Sequence, residues 1–195
     1  HRAILFVDDC HGIGVMGKTG RGTTEHFGLV GKVDVMVGTL GKAIGGSAGG
    51  FISGTKDMIS YLRQKARTYV FSNSLPPPIV MASIAAIDML KKDRSIVRRL
   101  QKNTAFFRRE IQALGYRILE GIHPVVPIML GEAETAQRMS AELLKAGVYI
   151  KGLWFPVVAH GHARLRAQIS AAHTQSDLDR ALTAFQKVGK KLGVI

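Results

Sequence analysis

The chain has 195 residues, of which 46% are hydrophobic, enough for one sizeable core or two small domains. No apolar run reaches the roughly 18 residues of a membrane-spanning helix, and the single cysteine, Cys10, excludes an internal disulfide framework and fits a reducing compartment. The net charge of +13 favours an anionic ligand or partner, although the basic residues between 56 and 117 are spread over helical faces, as they are on a solvated surface.

Glycine-rich turns separate short apolar segments in the first part of the chain. We predict buried strands at 3–7, 33–38 and 48–54, a loop at 11–32, an amphipathic helix at 55–67 and a short strand at 69–72. Thr55 is the predicted N-cap of that helix, and NSLPPP (73–78) ends regular structure. The chain begins in an apolar segment without a Met, so we expect a piece of a longer protein.

Helices dominate the middle of the chain, and a small α/β unit follows. The apolar composition of 79–92 predicts a largely buried helix, and 93–114 predicts an amphipathic helix between an Asp93 cap and Gly115. The remaining predicted elements are strands at 116–120, 125–130, 148–152 and 163–170 and helices at 132–147 and 176–192, the last capped by Ser176. This alternation of strands and helices indicates the α/β class.

Two glycine-rich motifs resemble nucleotide-binding sequences without meeting their requirements. GIGVMG (12–17) has G-x-G-x-x-G spacing, but no helical period follows it, whereas a dinucleotide site needs a helix that starts at the glycines. In GTLGKAIGG (38–46), the Gly41-Lys42 pair resembles a P-loop, yet Met36 stands where the first glycine is required and Ala43 where Ser or Thr binds magnesium. The sequence therefore argues against both kinds of nucleotide site.

The residues that could carry chemistry follow the first two predicted strands. Asp8 ends one strand, with His11 just after it, and Thr39 and Lys42 follow the next strand. This layout suits pyridoxal phosphate, which needs an acid at its ring nitrogen, a group beside its 3-hydroxyl, phosphate donors and a poorly solvated, nucleophilic amine. The alternative for residues 8–11 is a metal site, with His160-Gly-His162 as the second cluster, and we predict no metal.

Four ordered segments over nearly the whole chain resemble the α-oxoamine synthase family: VDDCHGIGVMGKTGRG, GTLGKAIGGSAGG, YVFSNSLPP and LRAQISAAHT. These are fold-type I pyridoxal phosphate enzymes that join an amino acid to an acyl-CoA thioester. The resemblance implies that residues 1–92 form the C-terminal part of a large cofactor-binding domain with a mainly parallel sheet, and that 93–195 form a small C-terminal α/β domain. It also implies a C-terminal half that is incomplete on its own.

The resemblance assigns cofactor roles to the residues that match the family motifs. Lys42 would form the Schiff base and remove the substrate α-proton, Asp8 would pair with the ring nitrogen, and His11 would hydrogen-bond the 3-hydroxyl. Thr39 would bind the phosphate.

The resemblance also implies a shared active site and a substrate. Ser72 and Asn73 would reach the phosphate of the neighbouring subunit's cofactor in a homodimer, and Arg166 would bind the substrate carboxylate. Within the family, the chain most resembles members that interconvert glycine and acetyl-CoA with 2-amino-3-ketobutyrate and CoA in threonine breakdown, on the stretches 62–77, 124–133, 155–158 and 164–174. The compartment would be the cytoplasm or the mitochondrial matrix, with any targeting segment outside this chain.

Three alternatives stay open at this point. A sister synthase would make aminooxononanoate, aminolevulinate or sphingoid bases, and a truncated subunit would keep the fold without catalysis. A basic nucleic-acid-binding module would explain the charge. We expect neither a membrane nor a nucleic-acid partner.

Overall fold

The computed structural model describes residues 3–46 and 48–195. Contacts divide the chain into two compact units, one that runs to Val97 and one from Arg98 to Ile195. The predicted boundary at residues 92 and 93 lies just before the helix in which this division falls. Within the described ranges, no helix combines the length and the hydropathy that crossing a membrane requires.

A three-stranded sheet forms the centre of the first unit. It contains β1 (Phe6–Asp8), β2 (Val35–Thr39) and β3 (Gly50–Gly54) in that order. β1 and β2 are parallel, and β3 runs antiparallel to β2. The described sheet is therefore mixed, and its one parallel pair places the carboxyl ends of β1 and β2 at the same edge.

Four helices accompany this sheet: α1 (Thr23–His26), α2 (Lys56–Lys65), α3 (Arg67–Phe71) and α4 (Pro77–Lys92). Thr55 caps α2 as predicted, since its side chain accepts a hydrogen bond from Met58 N at 3.3 Å. The short strand predicted at 69–72 is wrong, because α3 occupies those residues up to Phe71. The aromatic and β-branched residues there favour a strand locally, but none of the described strands pairs with them.

The prediction that 79–92 is largely buried is also wrong for the described residues. Ser83 is the buried residue of α4, while Met81, Ile84 and Met89 are between 48% and 63% exposed. Apolar composition predicts that one face of a helix packs against another segment. Which segment packs there is decided by tertiary structure.

The second unit packs helices on an antiparallel sheet. Its elements are α5 (Ser95–Ala113), which begins in the first unit, β4 (Val125–Gly131), α6 (Ala133–Lys145), β5 (Lys151–Leu153), β6 (Ala163–Gln168) and α7 (Gln175–Leu192). The strand order is β4-β6-β5, so β6 is central. One hydrophobic core joins these elements and includes the fully buried Ile111, Ile128, Met139, Leu165 and Phe185.

Two local predictions in the second unit are corrected by the structure. α7 is capped by Thr174 and not by Ser176, because the Thr174 hydroxyl accepts from Asp177 N while the Asp177 carboxylate accepts from Thr174 N. Residues 116–120 form no strand, and only an isolated bridge joins Ile118 to Ile128.

Candidate active site

Asp8 and Thr39 end two parallel, neighbouring strands, so both lie at one edge of the sheet. Asp8 is in register with Val37, and β2 ends at Thr39, two residues further on. Lys42 follows in the loop between β2 and β3. In open α/β sheets, ligands bind outside the carboxyl ends of the strands. The fold therefore brings the sequence-predicted residues of the first unit to the edge where a ligand is expected.

The exposed Asp8 carboxylate is stabilised as an anion by its neighbours. Cys10 N donates to Asp8 Oδ1 at 3.0 Å. Hydrogen bonds from the thiol and the backbone of Cys10 lower the pKa of Asp8, and the nearby charges of Lys42 and His11 lower it further. Because even an ordinary aspartate is ionised at neutral pH, Asp8 carries a full negative charge there. A carboxylate in this state is the partner that a protonated pyridine nitrogen requires.

The loop that carries Lys42 is pinned close to its two ends. Leu40 N donates to Gly49 O at 2.9 Å, and Gly46 N donates to Leu40 O at 2.7 Å. Leu40 and Ile44 are buried and anchor the loop, whereas Lys42 is exposed. The expected poorly solvated lysine is therefore not seen among the described residues: its backbone is held, and its amine is open to solvent.

The Thr39 hydroxyl is already engaged within the same loop. Thr39 Oγ1 donates to Gly49 O at 3.1 Å and accepts from Gly41 N at 3.3 Å. A hydroxyl has a single proton to donate. A contact from Thr39 to a phosphate oxygen would therefore require the hydroxyl to turn away from Gly49.

Sequence reasoning missed Asp9, which is buried directly beside Asp8. Asp9 is 2% exposed, its Oδ2 accepts from Thr23 N at 2.8 Å, and its Oδ1 has no donor among the described residues. Gly12 and Gly22 make room for it, since a Cβ on either glycine would overlap the Asp9 carboxylate. The Asp8-Asp9 doublet gave no signal of which carboxylate would be buried.

Glu25 is a second carboxylate that organises the loop after β1. It accepts hydrogen bonds from Thr19 N, Thr19 Oγ1 and Arg21 N at 2.8–3.2 Å. Burial raises the pKa of Glu25, but the hydrogen bonds from Arg21 and Thr19 outweigh it and leave the pKa below its ordinary value. The loop is thus built on carboxyl side chains that accept backbone N–H groups.

The glycine motif at 12–17 belongs to this loop and starts no helix. Gly14 N donates to Gly20 O at 2.8 Å, and Ile13 and Arg21 form an isolated bridge that closes the turn. The next helix, α1, begins only at Thr23. The structure agrees with the sequence argument against a dinucleotide site, because that site needs a helix N-terminus at the glycines.

Ser72 and Asn73 are exposed at the end of α3 in the first unit. Ser72 is the C-terminal cap residue, and its N–H donates to Thr68 O at 3.1 Å. Their role across a dimer interface stays a prediction.

Arg166 lies in the second unit, on the central strand β6. It is in register with Pro127 on one side and Lys151 on the other. Its Nε is buried and has no acceptor among the described residues. A buried guanidinium N–H without a partner costs free energy, so Arg166 has unused capacity to bind an acceptor such as a carboxylate.

The metal alternative finds no support in the described part of the chain. No three His, Cys, Asp or Glu side chains of residues 3–46 and 48–195 come close enough to share an ion. His160 stacks on Phe155 instead, with ring centroids 4.0 Å apart.

The donor set at the sheet edge fits pyridoxal phosphate. Asp8 is an exposed anion, Lys42 is an accessible amine whose charge acts on Asp8, and His11 is close enough to influence the same carboxylate. A carboxylate, an amine and an imidazole are the kinds of side chain that the cofactor needs at its ring nitrogen, its aldehyde and its 3-hydroxyl.

Comparison with known proteins identifies the family of the chain. The model of the aminotransferase class I and II family matches residues 1–185, so the chain belongs to that family. It is 45% identical over 193 residues to 2-amino-3-ketobutyrate coenzyme A ligase of Escherichia coli, covering 99% of this chain and 48% of that protein. It is also 45% identical over 195 residues to 8-amino-7-oxononanoate synthase of Thermosipho melanesiensis, covering 100% of this chain and 50% of that protein.

A solved structure of SPT with PLP has the same fold. It superposes with a TM-score of 0.95 at 34% identity, covering 100% of this chain and 49% of that one. The predicted α/β, fold-type I class is therefore confirmed. The chain spans about half the length of the curated relatives it matches.

Proposed function

We propose that the chain forms part of a pyridoxal phosphate-dependent glycine C-acetyltransferase, which interconverts glycine and acetyl-CoA with 2-amino-3-ketobutyrate and CoA. The observation that carries this proposal is the ionised Asp8 carboxylate at the same sheet edge as Lys42. The similarity to the Escherichia coli ligase supports the choice of substrates. In the condensing direction, a C–C bond forms between the glycine α-carbon and the acetyl carbonyl carbon, the C–S bond of the thioester breaks, and the α-proton ends, in net balance, on the CoA thiol.

Four residues of the first unit would hold the cofactor. Asp8 would accept a hydrogen bond from the protonated ring nitrogen, and His11 would lie at the 3-hydroxyl. Lys42 would bind the aldehyde carbon through Nζ, and Thr39 would bind the phosphate after its hydroxyl leaves Gly49 O. When bound, pyridoxal phosphate supplies an electron sink for the charge that develops on the glycine α-carbon.

The protein groups then have separate tasks in the reaction. Asp8 keeps a proton on the ring nitrogen because its own pKa is low and it stays anionic. Lys42 Nζ takes the α-proton of glycine as general base. Arg166 binds the glycine carboxylate through the fork of its guanidinium, whose Nε has no other acceptor among the described residues.

We propose a homodimer in which Ser72 and Asn73 serve the neighbouring subunit's phosphate. Their exposure in the first unit supports this, because neither side chain is enclosed by the described residues. S72A should weaken cofactor binding to the dimer, and unchanged binding would reject the role.

The cofactor assignment is tested by borohydride reduction of the complete gene product, followed by peptide mapping. We expect a yellow protein and a reduced adduct on Lys42. K42A should be colourless after dialysis, and K32R, a change at an exposed lysine in another loop, should behave as wild type. Colourless wild-type protein, or an adduct on another lysine, would reject the proposal.

The substrate assignment is tested with glycine and a panel of acyl-CoA thioesters. We expect acetyl-CoA to be preferred, with release of free CoA thiol. A preference for long-chain thioesters would favour a sister synthase. That outcome is worth excluding because the Thermosipho synthase is as similar in sequence as the Escherichia coli ligase.

A further inference from the structure

We propose that Gly14 is a positioning residue, whose missing side chain lets the Lys42 loop seat against the loop that follows Asp8. The inference rests on the proposed function and deepens it: it concerns how the loop that carries the Lys42 amine is positioned against the loop that follows Asp8. It also gives the GIGVMG motif a role other than nucleotide binding.

Gly14 lies at the contact between the two loops. A Cβ on Gly14 would lie 3.1 Å from Ala43 Cβ and 3.3 Å from Ile44 Cδ1. Unstrained carbon–carbon contacts are about 3.5–4.0 Å, so an alanine would push these atoms back by roughly half an ångström. Ala43 is the direct neighbour of Lys42, so the displacement acts on the residue that carries the amine.

Neither loop can yield easily at this contact. Gly14 is held from behind, since its N–H donates to Gly20 O at 2.8 Å. On the other side, Ile44 is only 5% exposed and fixes the Lys42 loop. Ala43 is exposed, unlike Ile44, so the strain is relieved by moving the exposed part of the Lys42 loop, at Lys42 and Ala43, outward.

The G14A substitution has two effects, one on the contact with Ala43 and one on the left-handed backbone, and a control must separate them. Gly14 has φ of 81°, which penalises any side chain regardless of its neighbours. Gly31 has φ of 80°, and nothing lies within 4 Å of the position its Cβ would take. G31A therefore carries the same backbone penalty without the contact and is the matched control.

The relief variant is A43G. It removes the atom closest to a Cβ on Gly14, so the double variant G14A/A43G should regain the wild-type loop position apart from the backbone penalty. A43V enters the same contact from the other side and needs no left-handed backbone. A43V therefore still tests the contact between Gly14 and Ala43 if G14A folds poorly.

The experiment uses the complete gene product and measures three quantities. We expect G14A and A43V to lower kcat about tenfold with the KM for glycine little changed, because a misplaced base loses transition-state geometry and not substrate binding. G31A should keep wild-type kcat, and G14A/A43G should recover most of the loss.

The second readout needs no cofactor. Lys42 helps to lower the pKa of Asp8, so a displaced loop should raise that pKa in cofactor-free G14A, and G31A should leave it unchanged. Carboxyl NMR titration of Asp8 reports this directly. The third readout is the affinity for pyridoxal phosphate, which should fall in G14A and recover in G14A/A43G.

The outcomes separate this inference from the proposed function. If wild type binds pyridoxal phosphate and G14A, A43V and G31A all behave alike, the positioning role is wrong and the proposed function stands. If wild type binds no pyridoxal phosphate, the proposed function fails, and the Asp8 titration still decides whether Gly14 sets the distance between the loops.

Discussion

The contact between the Lys42 loop and α4 predicts a change in the free energy of unfolding whose magnitude follows from the structure. Gly46 packs on Ser83, the buried residue of α4, and a Cβ on Gly46 would overlap Ser83 Oγ. The same Cβ would lie 3.1 Å from Leu40 O and from Ser83 Cβ. G46A therefore inserts a methyl group where no space exists.

The expected cost combines two opposing effects. Overfilling a packed site costs about 1–3 kcal/mol. Gly46 does not have a left-handed backbone, so replacing glycine by alanine returns about 0.4–1 kcal/mol through the unfolded state. We expect G46A to lower the free energy of unfolding by about 1–2 kcal/mol.

The control is a double-mutant cycle with S83A, measured by urea denaturation. S83A removes the overlapping oxygen and, among the described residues, loses the bond from Ser83 Oγ to Ile79 O at 2.8 Å within the same helix. In the S83A background the cost of G46A should fall by about 1 kcal/mol, which additive sites would not show. Equal costs of G46A in both backgrounds would refute the seating of the Lys42 loop on α4.

Three further predictions concern the second unit. T174A should lower the free energy of unfolding by about 1 kcal/mol and S176A by far less, as measured by denaturation, because the capping box is formed by Thr174. Hydrogen bonds from Lys145 and Lys191 lower the pKa of Glu142 to about 2. Its contribution to stability is therefore fully present above the unfolded value near 4.3 and falls as the pH approaches 2. The stability difference between wild type and E142Q should shrink over that range, and a difference of unchanged size at pH 2 would contradict the prediction. R108M should cost about 2 kcal/mol in the same assay, because the buried guanidinium donates to Leu119 O and His123 O, which the methionine would leave without these donors; wild-type stability would show that those carbonyls find other donors.

The residues proposed to carry the chemistry could be selected from the sequence because their signals are local. Asp8 follows an apolar run, Lys42 follows another, and both runs form strands close to the predicted positions. Once the two strands are parallel neighbours, their carboxyl ends must share an edge. Residues whose position depends only on the end of an element are therefore predictable.

Residues whose burial or hydrogen bonding depends on distant neighbours were not predictable from the sequence. The sequence does not distinguish exposed Asp8 from buried Asp9, and it does not show that the Thr39 proton is already donated to Gly49. Local preference favoured a strand for 69–72, where the structure has α3, because strand formation needs a partner that only the fold supplies.

The sequence by itself determined which side chains are proposed to carry the chemistry, the alternation of elements and the apolar content of the core. Tertiary structure decided the contacts that position them: Gly12 and Gly22 around Asp9, Gly14 against Ala43, and Gly46 on Ser83. In a sequence, a glycine indicates only that the backbone has more conformational freedom at that position. Whether it is needed for that freedom or for close approach depends on the atoms opposite it, and those come from elsewhere in the chain.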